Sequence, residues 1–560
     1  MKGLAGFLIS SFNVGNFSRY LESDEESPRV ACTSAPFGQV MSALLSPSET
    51  RPDFAFVWTS PEHVSPEYAR CLEGLQFSAN VVRNDVDQFC AAVRSFSTTQ
   101  TLVFVATLCP ILDRATSSLL GMRDAGASRL LADMNLRLVD NLRECANVYV
   151  LDAARWMERS AGSPRDPKLW YLAKVPFTND VFVATVRDIK GCLRGIKGAA
   201  RKLVILDLDD TLWGGIVGDI GWEKLRLGGH DPAGEAFVDF QRSLKALSRR
   251  GVILGVVSKN EANVALEAID RHPEMVLRRS DLAGWRINRE DKARNIVDLV
   301  HELNLGLDSV VFIDDSPVER ARVRESLPEV LVPEWPADSM LYSRALADLR
   351  CFEWPALTAE DAARTQLYNS ERSRSELLER IGSVDEWLKS LHLRVEVEDV
   401  GGANFERVVQ LLNKTNQMNL ATRRFSDGEF RTWLAGEGRR SWCFRVIDRL
   451  GDSGITGLLS VEHVRDAVII RDFVLSCRVM GRKVEETMLH VAVDYARSVG
   501  IGEVRAEHTR TTRNQPCFEF LKSVGFPGRE GENVFIWYTN QDYPLPEAIS
   551  CPTEPWRAAV

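Results

Sequence analysis

Residues 203–215 read LVILDLDDTLWGG: four apolar residues, then three aspartates within four positions. The apolar run has the length and composition of a strand buried on both faces, and the carboxylates stand where it ends. Carboxylates crowded at a strand end repel one another, so a fold keeps them only if something offsets the charge, and a divalent cation is the natural candidate. Taken alone, the stretch also fits an aspartate-rich turn that merely ends a strand.

Working outward, three later features favour the first reading. Ser258 ends a second apolar strand in VILGVVSKN (252–260), Lys292 sits at a helix start, and VVFIDDSPVER (310–320) places Asp314 and Asp315 at the end of another strand. Asp207, Asp209 and Thr211 complete a D-x-D-x-T pattern. One carboxylate beside a metal ion can attack phosphorus in line, and another two residues on can protonate the leaving oxygen and then activate water. A hydroxyl and a cation hold the spreading negative charge of a phosphoryl group.

These four motifs, in this order, resemble the haloacid dehalogenase (HAD) superfamily of phosphotransferases. The resemblance implies Asp207 as nucleophile, Asp209 as general acid/base, Thr211, Ser258 and Lys259 as phosphate-binding groups, and Lys292 as the charge-stabilising cation. It implies Mg²⁺ held by Asp207, Asp209 and Asp314, with Asp315 supporting; Asp210 has the weaker claim, since the pattern leaves its position free. About 46 residues separate Thr211 from Ser258 and about 33 separate Ser258 from Lys292. Core helices and strands fill both intervals, which leaves no room for a cap domain, and an uncapped site suits a substrate covered by another domain or carried on a protein.

The bulk numbers set the frame. A chain of 560 residues, 45% apolar and 26% charged, is long enough for three or four globular domains. The net charge of −9 argues against nucleic acid as the main partner. No run approaches the ~18 apolar residues of a membrane span. The opening MKGLAGFLISSFNVGNF has one lysine and no small-x-small cleavage site, so no signal peptide and a cytoplasmic location are expected. Eleven cysteines without a C-x-x-C pair speak against a disulfide framework and a zinc ribbon.

Apolar runs alternating with helical segments predict a parallel α/β domain over 1–195 and a second doubly wound unit over 196–345. The latter has strands at 203–206, 252–257 and 309–313 and helices near 233–250, 260–270 and 291–304. A helical linker is expected over 346–390. An α+β domain follows over 391–545, with antiparallel strands in HLRVEVEDV, SWCFRVIDRL, ITGLLSVEHV and DAVIIRDFVLS and helices near 404–412 and 483–499. Residues 546–560 read as a tail. The fold class is thus α/β multidomain.

In the third domain, LLNKTNQMNLATRRFS (411–426) packs amides and hydroxyls among three cations, which marks Asn416 and Arg423 as binding candidates against a solvated helix end and loop. In DFVLSCRVMGRKVEE (472–486) a strand passes through a Gly-Arg turn into a helix, where free N–H groups can hold a phosphate. Cys477 lies at the strand end beside Arg478 and Arg482, and nearby cations favour thiolate; an inert core thiol is the alternative. His508 is a candidate base, set against a purely structural histidine. The order of strand, RVMGRKVEE, helix and EVRAEHTRTTRNQPCFEFLKSVGF is similar to the GNAT acyltransferase fold.

The combination of LDLDDTLWGGIVGD, FIDDSPVER, KTNQMNLATRRF, DRLGDSG and SCRVMGR looks like the FkbH-like family, over roughly residues 200–540. That resemblance implies dephosphorylation of 1,3-bisphosphoglycerate and loading of its glyceryl unit, through a Cys477 thioester, onto the phosphopantetheine thiol of an acyl carrier protein for polyketide biosynthesis. The rival reading is a Mg²⁺-dependent phosphatase fused to an acetyltransferase acting on a small metabolite; another is an inactive scaffold that binds carrier proteins. Residues 1–195 resemble an SGNH-hydrolase-like region. However, ISSFNVGN (9–16) lacks the G-D-S block, VLDAARWMERSAG (150–162) offers no D-x-x-H, and His63 is the only histidine before residue 230, so this domain is expected to be non-catalytic.

Overall fold

The computed structural model describes residues 3–46, 51–114, 116–124, 126–355, 370, 374, 377–378, 380–524 and 533–557. The chain forms two compact units, Met1–Arg194 with Ser426–Gly428, and Gly195–Phe425 with Glu429–Val560. No helix among the described residues is long and apolar enough to cross a membrane.

The first unit is built on five parallel strands, β1 (Leu4–Ser10), β2 (Val30–Ser34), β3 (Phe54–Trp58), β4 (Val103–Ala106) and β5 (Val148–Leu151), in the order β2-β1-β3-β4-β5. Every residue of β3 and β4 is buried, as a parallel sheet covered on both faces requires. Helices α1 (Ala79–Ser97) and α2 (Ala127–Leu142) pack Val86, Phe89, Met134 and Leu138 into one core. His63 is exposed on a one-turn helix after β3.

The second unit holds two sheets. β6 (Leu203–Leu206), β7 (Ile253–Ser258), β8 (Gly284–Ile287) and β9 (Val310–Ile313) form a parallel sheet in the order β8-β7-β6-β9. Strands β6, β7 and β9 are buried along their whole length. Edge strand β8 is half exposed at Trp285 and Arg286, so its residues carry no apolar run and the sequence pattern passes over it. Helices α3 (Pro232–Arg249), α4 (Lys292–Glu302) and α5 (Pro317–Ser326) accompany this sheet; Asp231, Asp291 and Ser316 cap them through side-chain bonds to Gly234, Arg294 and Glu319 N–H groups.

The other sheet comprises β10 (Leu393–Asp399), β11 (Met418–Asn419), β12 (Arg439–Asp448), β13 (Gly451–Val464), β14 (Ala467–Leu475), β15 (Glu503–Glu507), β16 (Val534–Tyr538) and β17 (Ile549–Ser550), mostly antiparallel. β14 runs parallel to β15 only as far as Ile470; its last residues pair with β11 instead. The sheet therefore parts along that edge just before Ser476 and Cys477. Helices α6 (Phe405–Lys414), α7 (Val484–Ser498) and α8 (Gln515–Ser523) flank it.

One boundary differs from expectation. The stretch 546–557 is no loose tail: β17 pairs with β10, and Trp556 is buried with its Nε1 donating to Asp494 at 2.8 Å. Of the linker expected over 346–390, residues 356–369, 371–373, 375–376 and 379 lie outside the described residues; near its end, Val384–Leu391 is helical, with Ser383 accepting from Glu386 N–H.

Candidate active sites

Strands β6, β7 and β9 end side by side, which brings the chemistry-bearing residues to one edge. Lys292 Nζ lies 3.0 Å from Asp207 Oδ1 and 2.6 Å from Asp314 Oδ2, with all three side chains buried. Burial pushes the Asp207 carboxyl up to about 6, opposed by the Lys292 ammonium. Burial likewise raises Asp314, against the pull of Lys292. Burial alone would lower Lys292, but Asp207 and Asp314 raise it above its ordinary value and keep it charged.

Asp315 completes the group. Its Oδ1 accepts from Thr211 Oγ1 at 3.2 Å, while its own N–H donates to the same hydroxyl at 3.1 Å. Arg320 donates to the carbonyls of Asp314 and Asp315 at 2.8 and 2.7 Å, pinning the turn. Oxygen atoms of Asp207, Asp314 and Asp315 all lie within 4.8 Å of one another. Three carboxylates against one ammonium leave net negative charge in a buried place, and an all-oxygen donor set suits a hard divalent ion such as Mg²⁺.

The Asp209 carboxyl is engaged away from the other three aspartate side chains named as metal candidates or support. Its Oδ1 accepts from Trp213 Nε1 at 2.9 Å and Val217 N–H at 3.0 Å, and its Oδ2 accepts from Asn260 Nδ2 at 2.9 Å. The carboxyl is thus oriented by donors and stands outside the carboxylate cluster, where Asp315 takes its place. Asn260 also donates to Ser258 Oγ at 3.2 Å and so links the acid/base candidate to the phosphate-binding hydroxyl; its signal was the residue directly after Ser258-Lys259. Lys259 itself turns to α5, where its ammonium meets Glu319 Oε1 at 2.7 Å. Asp210 is exposed, at φ +53°, and caps the turn by accepting from Gly215 N–H at 2.8 Å.

Cys477 opens a single 3-10 turn, Cys477–Val479, immediately after the place where the antiparallel sheet parts. It lines a cavity of about 450 Å³ between the two sheets of this unit, together with Arg478 and Asn416. Lys202, Ile253 and Ser309 form the far wall, and these residues sit at the amino ends of β6, β7 and β9. The carboxylates lie beyond the carboxyl ends of the same strands. Cys477 and Asp207 therefore occupy opposite ends of the parallel sheet.

Several candidates fall away from this cavity. His508 is buried, its Nε2 3.3 Å from the Asn514 carbonyl and its ring 5.4 Å from Phe518, and burial lowers its pKa; it is not a lining residue and serves as core. Arg423 is locked bidentate on Asp472 at 2.9 and 2.5 Å and stacks over Phe425 and Trp433. Arg482 is buried, donating to the Arg478 carbonyl at 2.5 Å, with Asp448 3.6 Å away; Asp448 also takes two bonds from Arg374. Asn416, by contrast, stays at the cavity wall and accepts from Arg424.

The phosphate-holding loop expected before α7 is also altered. Gly481 N–H donates to Glu485 Oε1 at 2.7 Å, so this donor is already taken by the chain's own carboxyl, which burial pushes up to about 7. Gln417 falls in the amide-rich stretch 411–426, whereas Asn304 and Asp308, which also line the cavity, carried no sequence signal, because they come from a segment far away in the chain.

Compared with family models and with curated proteins, the chain matches none. Among solved structures it is similar to the N-terminal part of the protein BF1531 from Bacteroides fragilis, described as containing a phosphatase domain complexed with Mg. That likeness has 27% identity and a TM-score of 0.58, and it covers 64% of this chain and 96% of that one. Shorter alignments to the ribosomal-protein-S18-alanine N-acetyltransferase of Escherichia coli (11% identity, 25% of this chain and 90% of that one, TM-score 0.20) are too slight to carry an argument. The chain is thus similar, over 64% of its length, to a solved, Mg-bound phosphatase-containing structure.

Proposed function

We propose that the chain is a bifunctional Mg²⁺-dependent phosphatase and acyltransferase. The observation that carries the first half is the Asp207–Lys292–Asp314 contact, 3.0 and 2.6 Å, at the edge of a parallel sheet, in a chain similar over 64% of its length to a Mg-bound phosphatase-containing structure. Asp207, Asp314 and Asp315 would hold Mg²⁺, which would neutralise the phosphoryl oxygens and align them with Asp207. Asp207 attacks phosphorus; the P–O bond to the alcohol breaks, and Asp209 gives the leaving oxygen its proton. Asp209, held by Asn260, then takes a proton from water, whose oxygen attacks the aspartyl phosphate and releases phosphate.

The second half rests on Cys477 lining the interdomain cavity. On the FkbH-like reading the donor is 1,3-bisphosphoglycerate, an acyl phosphate. The Cys477 thiolate attacks its acyl carbon, the C–O bond breaks, and phosphate leaves with the electron pair, giving a thioester. The pantetheine thiolate of an acyl carrier protein then attacks, and the Cys477 sulfur departs. The occupied Gly481 N–H counts against the rival acetyltransferase reading, since a coenzyme pyrophosphate would have to displace Glu485.

The test is intact-mass spectrometry after incubation with 1,3-bisphosphoglycerate and Mg²⁺. A covalent glyceryl or phosphoglyceryl adduct absent in Cys477→Ala is expected; an unmodified chain would remove the acyl-transfer half. Phosphate release from a phosphomonoester, which the thiol cannot cleave, that survives Asp207→Asn would remove the other.

A further inference from the structure

The cavity around Cys477 borrows a wall from the parallel-sheet domain. The turn between α4 and β9 carries Asn304 and Asp308 into it. Asn304 Nδ2 donates to the Cys477 carbonyl at 3.2 Å, and Asp308 forms an ion pair with Arg513, another lining residue. Asn304 is held at φ +48°, a left-handed backbone that asparagine tolerates better than most residues and that aims its amide across the domain boundary. Among the described residues, Asp308 is the one carboxylate lining a cavity that also carries Lys202, Arg407, Lys414, Arg478 and Arg513.

We propose that Asn304 and Asp308 are positioning residues of the thiol site, so that the α4–β9 turn is a working part of acyl transfer. The inference rests on the reading of Cys477 as the acyl acceptor. Asn304 fixes the 3-10 turn that presents the sulfur to the cavity, and Asp308 offsets part of the positive field that an incoming anion meets.

The test uses the full chain and two alkylating probes, anionic iodoacetate and neutral iodoacetamide, with the rate at Cys477 followed by peptide mass spectrometry. The unchanged chain should show a higher iodoacetate-to-iodoacetamide ratio at Cys477 than free cysteine does. Asp308→Asn should raise that ratio about threefold, by removing one negative charge from the wall. Asn304→Gly keeps the left-handed backbone open and removes only the amide; it should lower the ratio about threefold, toward that of free cysteine. A general loosening of the domains would speed both reagents alike and leave the ratio where it was. Ratios unmoved in both variants, with Cys477 reactive in the unchanged chain, overturn the wall alone. A Cys477 that neither reagent modifies in the unchanged chain overturns the wall and the acyl-acceptor reading together.

Discussion

The carboxylate nest and the thiol cavity stand at the two ends of β6, β7 and β9, and they are assembled differently. The nest draws on residues that end or directly follow buried strands, so its geometry is inherited from the ladder: Leu206 pairs with Ile313 and with Val256, and the next residue on two of those strands is an aspartate. The cavity draws on loops and turns from both domains, such as Asn304, Asn416, Cys477 and Arg513. Strands at fixed spacing make a rigid phosphorus-handling edge; loops held by polar contacts make a roomier, adjustable pocket.

The sharpest way to break that contrast is Asp207→Asn, which should cut phosphate release from a phosphomonoester by about 10³-fold or more while leaving Cys477 alkylation within about twofold, as measured by phosphate assay and peptide mass spectrometry. Chelation of metal should have the same one-sided effect. Thr211→Val comes next. It removes the hydroxyl that exchanges two hydrogen bonds with Asp315, and it should weaken Mg²⁺ about 10- to 100-fold in a metal titration of phosphatase activity.

Asp448→Ala probes the domain behind the thiol. It removes the buried carboxylate that pairs with Arg374 and lies 3.6 Å from Arg482, and it should cost about 3–5 kcal/mol in denaturant unfolding.

Glu485 gives the smallest effect and the one with a pH signature. Its folded pKa near 7 lies above its unfolded value, so the protonated form is the one the fold favours. That contribution is fully present below about pH 4.5 and is lost as pH rises through about 7, by roughly 3 kcal/mol at most. Glu485→Gln should flatten the stability profile of the unit across that window, as read by denaturant midpoints at stepped pH.

The same contrast explains what the sequence disclosed. Asp207, Ser258 and Asp314 were legible because an apolar run fixes where a strand ends, and Lys292 because it opens a helix. That Asp315 would stand with Asp207 and Asp314 was not, since that depends on the Thr211 hydroxyl reaching from another strand end. Arg423 read as a ligand-binding cation because nothing nearby in the chain pairs with it. Its partner, Asp472, lies on β14 and is brought near by the pairing of β11 with that strand. His508 failed for the same reason: its neighbour Phe518 comes from α8, and only tertiary packing reveals that the ring is core. Eight-stranded architecture was read as a mixture of antiparallel runs, but the parting of β14 from β15, which frees the Cys477 turn, leaves no mark in hydrophobic periodicity.

Four-residue strands at about 3.3 Å per residue put more than about 13 Å of packed protein between the two ends of the sheet. A small molecule processed by the aspartates and again by the sulfur cannot simply pivot in place; it has to travel around the outside of the domain, either loose in water or tethered to a long swinging arm. In the first case an added scavenger would intercept it between steps, and in the second it would not, so competition by bulk acceptors reads the itinerary directly.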